Sequence, residues 1–311
     1  METPIPFDLD LTVRSHGFYD LAPWSYDPAR RLLARPLLLA SRRRVSVEVA
    51  PRESASAGLA LRIAVEGRLS AADARGARSL VRACLALDED LSPFYSRIRE
   101  LEHARPTRRP LPQLAWVVDR GAGRLLRSPS VFEDAMKTLC TTNCTWALTR
   151  VMVKNLVEKL GKPAPLGGHT FPTPEAMAEQ PERFYRDLIR AGYRSGAMLT
   201  IAREVASGTL DMERWRGSAL PTDELAVRIR ELPGFGPYAT EHLLKLLGRY
   251  DHLALDSWTR SKLARLRGSR RAPSDRAMKR WYEPYGRFAG LAMWLEVTAD
   301  WHGAAPSWPS C

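Results

Sequence analysis

The 311-residue sequence predicts an α+β architecture: a small N-terminal antiparallel sheet crossed by a helix, then a mainly helical, two-lobed body. Three observations carry this. Apolar and polar residues alternate in short runs before residue 68, with the two-residue period of half-buried strands. A proline-rich basic segment, Ala104-Arg-Pro-Thr-Arg-Arg-Pro-Leu-Pro112, interrupts all periodicity and marks a boundary. Beyond it, apolar residues recur at three- and four-residue spacing almost to the end of the chain. We therefore expect one unit over residues 1–104 and a second over 105–311.

Asp8-Leu-Asp-Leu-Thr-Val13, Val45-Ser-Val-Glu-Val49 and Leu59-Ala-Leu-Arg-Ile-Ala-Val-Glu66 read as strands, the second bounded by Pro51. Helical spacing from Ser70 to Leu87 places Leu80, Cys84 and Leu87 on one side, and a short helix is expected over Leu91–His103. Ser130-Val-Phe-Glu133 has the form of a capping box and opens Val131–Leu160, long enough for two helices or one bent one. Shorter helices are expected from Thr173, over Pro181–Gly192 and over Ser195–Ser207. Pro221-Thr-Asp-Glu opens another helix ending near Glu231, and Arg276–Trp301 gives one or two rich in Trp and Tyr.

Lys and Arg number 47 against 35 Asp and Glu, a formal charge of +12. Runs such as Arg42–Arg44, Arg105–Arg109 and Arg265–Arg280 attract a polyanion, of which nucleic acid is the commonest. No run of about 18 apolar residues exists and the N-terminus lacks a signal pattern, so we expect no membrane span and a cytoplasmic protein, nucleoid-associated if prokaryotic. Cys140 and Cys144, four apart on a predicted helix, suit one buried face better than a disulfide. The C-terminal third has no four-cysteine cluster, which excludes an iron–sulfur site there. His169, His242, His252 and His302 show no ligand spacing, so no zinc is expected.

The most informative segment is Leu232-Pro-Gly-Phe-Gly-Pro-Tyr238, followed by a helical stretch and Leu253-Ala-Leu-Asp-Ser-Trp258. Gly234 and Gly236 allow a tight turn whose amides can approach a phosphate. Pro237 suits the first position of the next helix, whose positive end points at the same phosphate. Gly248 is a fitting stop. Asp256 lies 18 positions beyond Tyr238, at the start of another predicted helix. An aspartate so placed is ordinarily a helix cap, and the two roles can coexist.

The hairpin, about 221–249, and its lone acid resemble the helix–hairpin–helix DNA glycosylase superfamily, particularly its 8-oxoguanine and alkyl-purine branches. The resemblance runs from about Phe7 to Trp301. Leu139-Cys-Thr-Thr-Asn-Cys-Thr145 resembles the family's helix-end segment that fills the gap left by an extruded base, through Asn143. Gly192-Tyr193-Arg194 resembles the tripeptide that wedges beside the orphaned base and contacts the opposite strand. Tyr285–Trp294 is similar to the helix lining the base pocket. The resemblance implies a small α/β domain on a helical body, a catalytic Asp256, and DNA contacts by Gly234, Phe235, Gly236 and Trp258. It also implies base-pocket walls from Tyr238, His242, Met293, Trp294 and Val297. Main-chain carbonyls of Arg230, Leu232 and Phe235 would hold Na⁺ or K⁺, with no other cofactor.

The departures are chemical. Bifunctional members carry a lysine where this chain has Tyr238, and a phenol cannot form the imine of lyase chemistry. Lys245 is on the same helix face but about 10 Å along the axis. Met293, Val297 and His242 replace the residues that read 8-oxoguanine, and Arg14-Ser-His-Gly-Phe-Tyr19 does not preserve that branch's glycine-centred recognition turn. The expectation is a monofunctional, monomeric glycosylase acting on duplex DNA with a damaged base. An alkylated purine leads, since aromatic walls suit a cationic base. Alternatives are a uracil, hypoxanthine or oxidised-purine glycosylase, or a catalytically silent damage-binding protein.

Overall fold

The computed structural model describes residues 1–52, 58–104, 112–269 and 271–304; the arginines of the 105–109 run lie outside the described residues. The chain opens with helix α1 (Leu9–Val13), where alternation predicts a strand. Capping decides the difference: the Asp8 side chain accepts the Leu11 N–H at 3.1 Å and fixes a helical turn. Four antiparallel strands follow in sequential order, β1 (Ser25–Asp27), β2 (Leu32–Leu38), β3 (Arg44–Pro51) and β4 (Leu59–Val65). β3 and β4 match the alternating runs, whereas β1 and β2 carried no signal. Pro36 obscures β2; it is tolerated because β1 pairs only with residues 32–34, so the proline lies beyond its edge partner.

Helices α2 (Ala71–Cys84) and α3 (Ser92–His103) come next, each within the expected span. α2 begins at Ser70, whose hydroxyl accepts the Asp73 N–H, and its Ala77, Val81 and Cys84 pack on the sheet to form one core. α3 faces elsewhere. Its Phe94, Tyr95 and Ile98 join a second core with the C-terminal helices, Phe94 against Phe288 at 5.1 Å between ring centroids.

The body continues with α4 (Ala115–Arg120), α5 (Val131–Thr141), α6 (Trp146–Leu160), α7 (Pro174–Ala178), α8 (Glu182–Phe184), α9 (Ser195–Ala206), α10 (Thr222–Arg230) and α11 (Pro237–Leu246). α12 (Ser257–Leu266), α13 (Asp275–Tyr282) and α14 (Ala289–Val297) complete it. Val131–Leu160 is thus two helices, α5 capped by Ser130 and α6 by Thr145. A third core lies between α5, α6, α9, α10 and α11. No helix among the described residues is long and apolar enough to cross a membrane.

A buried charge cluster joins the sheet to the body. Arg35 of β2 donates to both carboxylate oxygens of Glu133 on α5, at 3.2 and 2.9 Å, and Lys137 lies 2.7 Å from the same carboxylate. All three side chains are at most 3% exposed.

Candidate active site

The hairpin forms as its residues dictate. α10 ends at Arg230, the Phe235 N–H closes the turn on the Leu232 carbonyl at 3.1 Å, and α11 starts at Pro237. Gly234 has φ +80°, and a Cβ there would lie 2.7 Å from Leu139 Cδ1 and 3.3 Å from the Ala197 Cβ. Gly234→Ala therefore combines left-handed strain with a clash against α5. We expect a loss of about 1–3 kcal/mol in stability, read by urea denaturation. Gly234, Gly236 and Pro237 are exposed, while the Phe235 side chain is buried in the core, so only its main chain can meet a ligand.

After α11 the chain runs back to Asp256, the N-cap of α12. Gly290 on α14 permits this return: its N–H donates to the Tyr250 carbonyl at 2.7 Å, and a Cβ would lie 2.1 Å from the His252 carbonyl. One oxygen of Asp256 accepts the Thr259 N–H at 2.6 Å; the other has no hydrogen bond among the described residues. The cap and the free oxygen coexist on one half-buried side chain, at the wall of a cavity of about 650 Å³.

Tyr238, His242, Trp258 and Trp294 also line this cavity. Trp258, Trp294 and Trp301 form one aromatic wall, with ring centroids 5.6 to 6.1 Å apart. Tyr238 packs against His242, tilted at 58° with ring centroids 4.5 Å apart, and burial, reinforced by the Asp256 charge, pushes its phenol above the usual range despite a hydrogen bond to Thr141. Trp294 Nε1 donates to the Ser15 carbonyl at 2.8 Å, tying α14 to the N-terminal segment.

Other expected residues are placed differently. Met293 and Val297 are fully buried in the second core and do not line the cavity; Trp294, one position from Met293, reaches it instead. Arg194 is buried rather than presented to solvent. It donates to the Thr142 hydroxyl at 3.1 Å and to the Thr142 carbonyl, and lies 4.4 Å from the Tyr193 ring. Its side chain is thus committed to the Thr142 turn. Tyr193 is 65% exposed, its hydroxyl 3.0 Å from the Thr142 hydroxyl. Asn143 is exposed, with φ +43°, and does not cap α6, a role taken by Thr145. Asn143 and Tyr193 thus stand together on one surface, joined through Thr142.

Sequence reasoning missed Trp146 and Trp301, which line the cavity, and discounted the segment Arg14–Tyr19, which supplies His16, Gly17 and Phe18 to it. Their signal was weak: an exposed Trp after a capping Thr, and a glycine between two aromatic residues. Lys245 was also underestimated. It is 3% exposed, with its Nζ 3.8 Å from the Trp294 ring centroid. Burial lowers its amine to about 7, while the charges of Asp256 and Glu241 raise it. Near neutral pH a substantial part of the molecules therefore carries an ammonium on the Trp294 face. The cation on Trp294 in this structure is therefore the protein's own.

Three histidines are held unprotonated, by burial first. His16 and His302 are each lowered to about 4, and His242 well below its usual value. Their folded values lie below the unfolded one, so between about pH 4 and 6.5 the unfolded chain binds more protons. Stability should therefore fall as pH drops through this window, His16 alone contributing on the order of 3 kcal/mol by its lower end. Thermal melts at pH 7 and 5 check this, and the loss should shrink in His16→Asn.

No protein-family model matches the chain, and no curated protein matches it. Solved structures do. The 3-methyladenine DNA glycosylase of Archaeoglobus fulgidus superposes with a TM-score of 0.72 at 20% identity, covering 98% of this chain and 99% of its own. The 8-oxoguanine glycosylase/lyase of Clostridium acetobutylicum in its apo-form gives 0.62 at 17% identity, covering 91% and 93%. The chain has the fold of the helix–hairpin–helix DNA glycosylases.

Proposed function

We propose that the protein is a monofunctional DNA glycosylase. It holds a duplex through the hairpin and its basic surface, turns a damaged nucleotide out of the stack, and hydrolyses the base–sugar bond. The product is an abasic site in an intact strand. The observation that carries this is the half-committed carboxylate of Asp256 in an aromatic cavity beside the exposed hairpin.

Cleavage of an N-glycosidic bond develops positive charge on the sugar. The cap fixes Asp256 in place, and its free oxygen is available to stabilise that charge and orient the attacking water. Tyr238 provides a wall and cannot form an imine. Extrusion costs a few kcal/mol, offset by Asn143 and Tyr193 entering the vacated space. The carbonyls of Arg230, Leu232 and Phe235 are uncharged hard donors suited to Na⁺ or K⁺, and such an ion would add positive charge for a phosphate. A damaged purine suits the cavity's size and aromatic walls, an alkylated one first.

The test is single-turnover base release from duplexes carrying alkylated, deaminated or oxidised bases, each reaction split between hot alkali and borohydride. Strand breaks after alkali alone, with no trapped imine, are expected. Trapping by borohydride would overturn the monofunctional reading. Tight lesion binding without release from any duplex would leave a damage sensor in its place.

A further inference from the structure

Three basic residues at or beside the cavity have no part in the proposed hydrolysis, and their placement bears on which bases fit. Lys245 does not line the cavity but lies 3.8 Å from the ring of Trp294, which does. His242, three residues earlier on α11, lines it directly, and neither of its ring nitrogens has a hydrogen bond among the described residues. Arg14 enters the lining from the N-terminal segment. Against these stands Asp256, the acidic side chain among the lining residues, with one oxygen committed to the Thr259 N–H. Glu241 offsets part of the Lys245 charge from the same helix.

Alkylation at N3 or N7 of a purine gives a cationic base, and such a base is held by unoccupied aromatic faces. The Lys245 amine already lies on the Trp294 ring, so a cationic base would meet an occupied ring and, with Lys245 protonated, a like charge close behind it. A neutral base avoids that repulsion. It also finds in the His242 ring one donor and one acceptor for its polar edge.

We infer that Lys245, acting through Trp294, makes this cavity select neutral damaged bases over cationic ones, with His242 reading the neutral base's edge. The inference rests on the glycosylase reading. It makes Lys245 a specificity-determining residue that touches neither the base nor the sugar.

The experiment compares ethenoadenine, a neutral alkylated purine, with 7-methylguanine, a cationic one, in otherwise identical duplexes. Single-turnover rates are measured for the wild type, Lys245→Met and Lys245→Arg. Comparing rate ratios removes the intrinsic weakness of the cationic glycosidic bond. Lys245→Met should raise the ratio of cationic to neutral excision about tenfold, as expected for removing one nearby charge. Lys245→Arg should leave it within about twofold. A ratio unmoved by Lys245→Met, or moved equally by Lys245→Arg, overturns the inference. If the wild type excises neither base, the alkylated-purine reading fails separately. The same ratio is then read from Kd values for the two duplexes, and equal ratios in wild type and Lys245→Met overturn the selectivity.

Discussion

Replacing Asp256 by Asn is expected to lower single-turnover base release by about 10²–10³-fold or more, the range for removing one preorganised stabilising group. The substitution isolates charge from architecture. Asparagine caps helices as well as aspartate does, so the bond to the Thr259 N–H at 2.6 Å can persist and α12 should keep its start. What is lost is the negative charge available to the developing oxocarbenium. Lesion-duplex affinity should stay near the wild-type value, because the hairpin, Asn143 and Tyr193 are untouched. Asp256→Ala should lose activity similarly and also about 1 kcal/mol of stability, since alanine cannot cap. A rate within tenfold of the wild type for Asp256→Asn would reduce the residue to a cap and sink the proposed mechanism.

How much of this was legible in the sequence depends on the range over which each feature is determined. The hairpin, its glycines and Asp256 could be read because turn and cap chemistry are local. The pocket walls could not be read with the same certainty. Every residue of α14 from Ala289 to Val297 is buried, so the helix has no polar face to show which side meets the cavity. Met293 and Trp294 are one position apart, about 100° around the helix, and only packing decides between them. Arg194 illustrates a second limit. An arginine beside an exposed aromatic reads as a surface cation until the fold brings the Thr142 carbonyl within its reach. Trp301 and the Arg14–Tyr19 segment reach Asp256 only through contacts between the two ends of the chain, such as that of Trp294 with Ser15. In Asp8–Val13 a local signal was present on both sides, and the cap outweighed the alternation.

The largest stability effect is expected at Glu133, far from the reacting bond. Burial pushes its carboxyl up, but Arg35 and Lys137 outweigh this and hold it below the usual range. Glu133→Gln removes the carboxylate paired with both buried cations and leaves only the more distant Asp134 charge near Lys137. The expected cost is about 3–5 kcal/mol, that of breaking a buried ion pair from one side. Urea denaturation should show it as a lower midpoint. The consequence should reach function, because the cluster sets β2 against α5, and α5 carries Thr138 and Thr141 into the cavity and ends beside Asn143. Base release should therefore fall at temperatures where the protein remains folded. Removing all three charges together tests the cause. Arg35→Met, Glu133→Met and Lys137→Met combined should recover most of the lost stability, since a matched apolar cluster avoids the desolvation that an unpaired charge suffers. If Glu133→Gln costs less than about 1 kcal/mol, water reaches these groups on opening and the sheet is held to the body mainly by apolar packing.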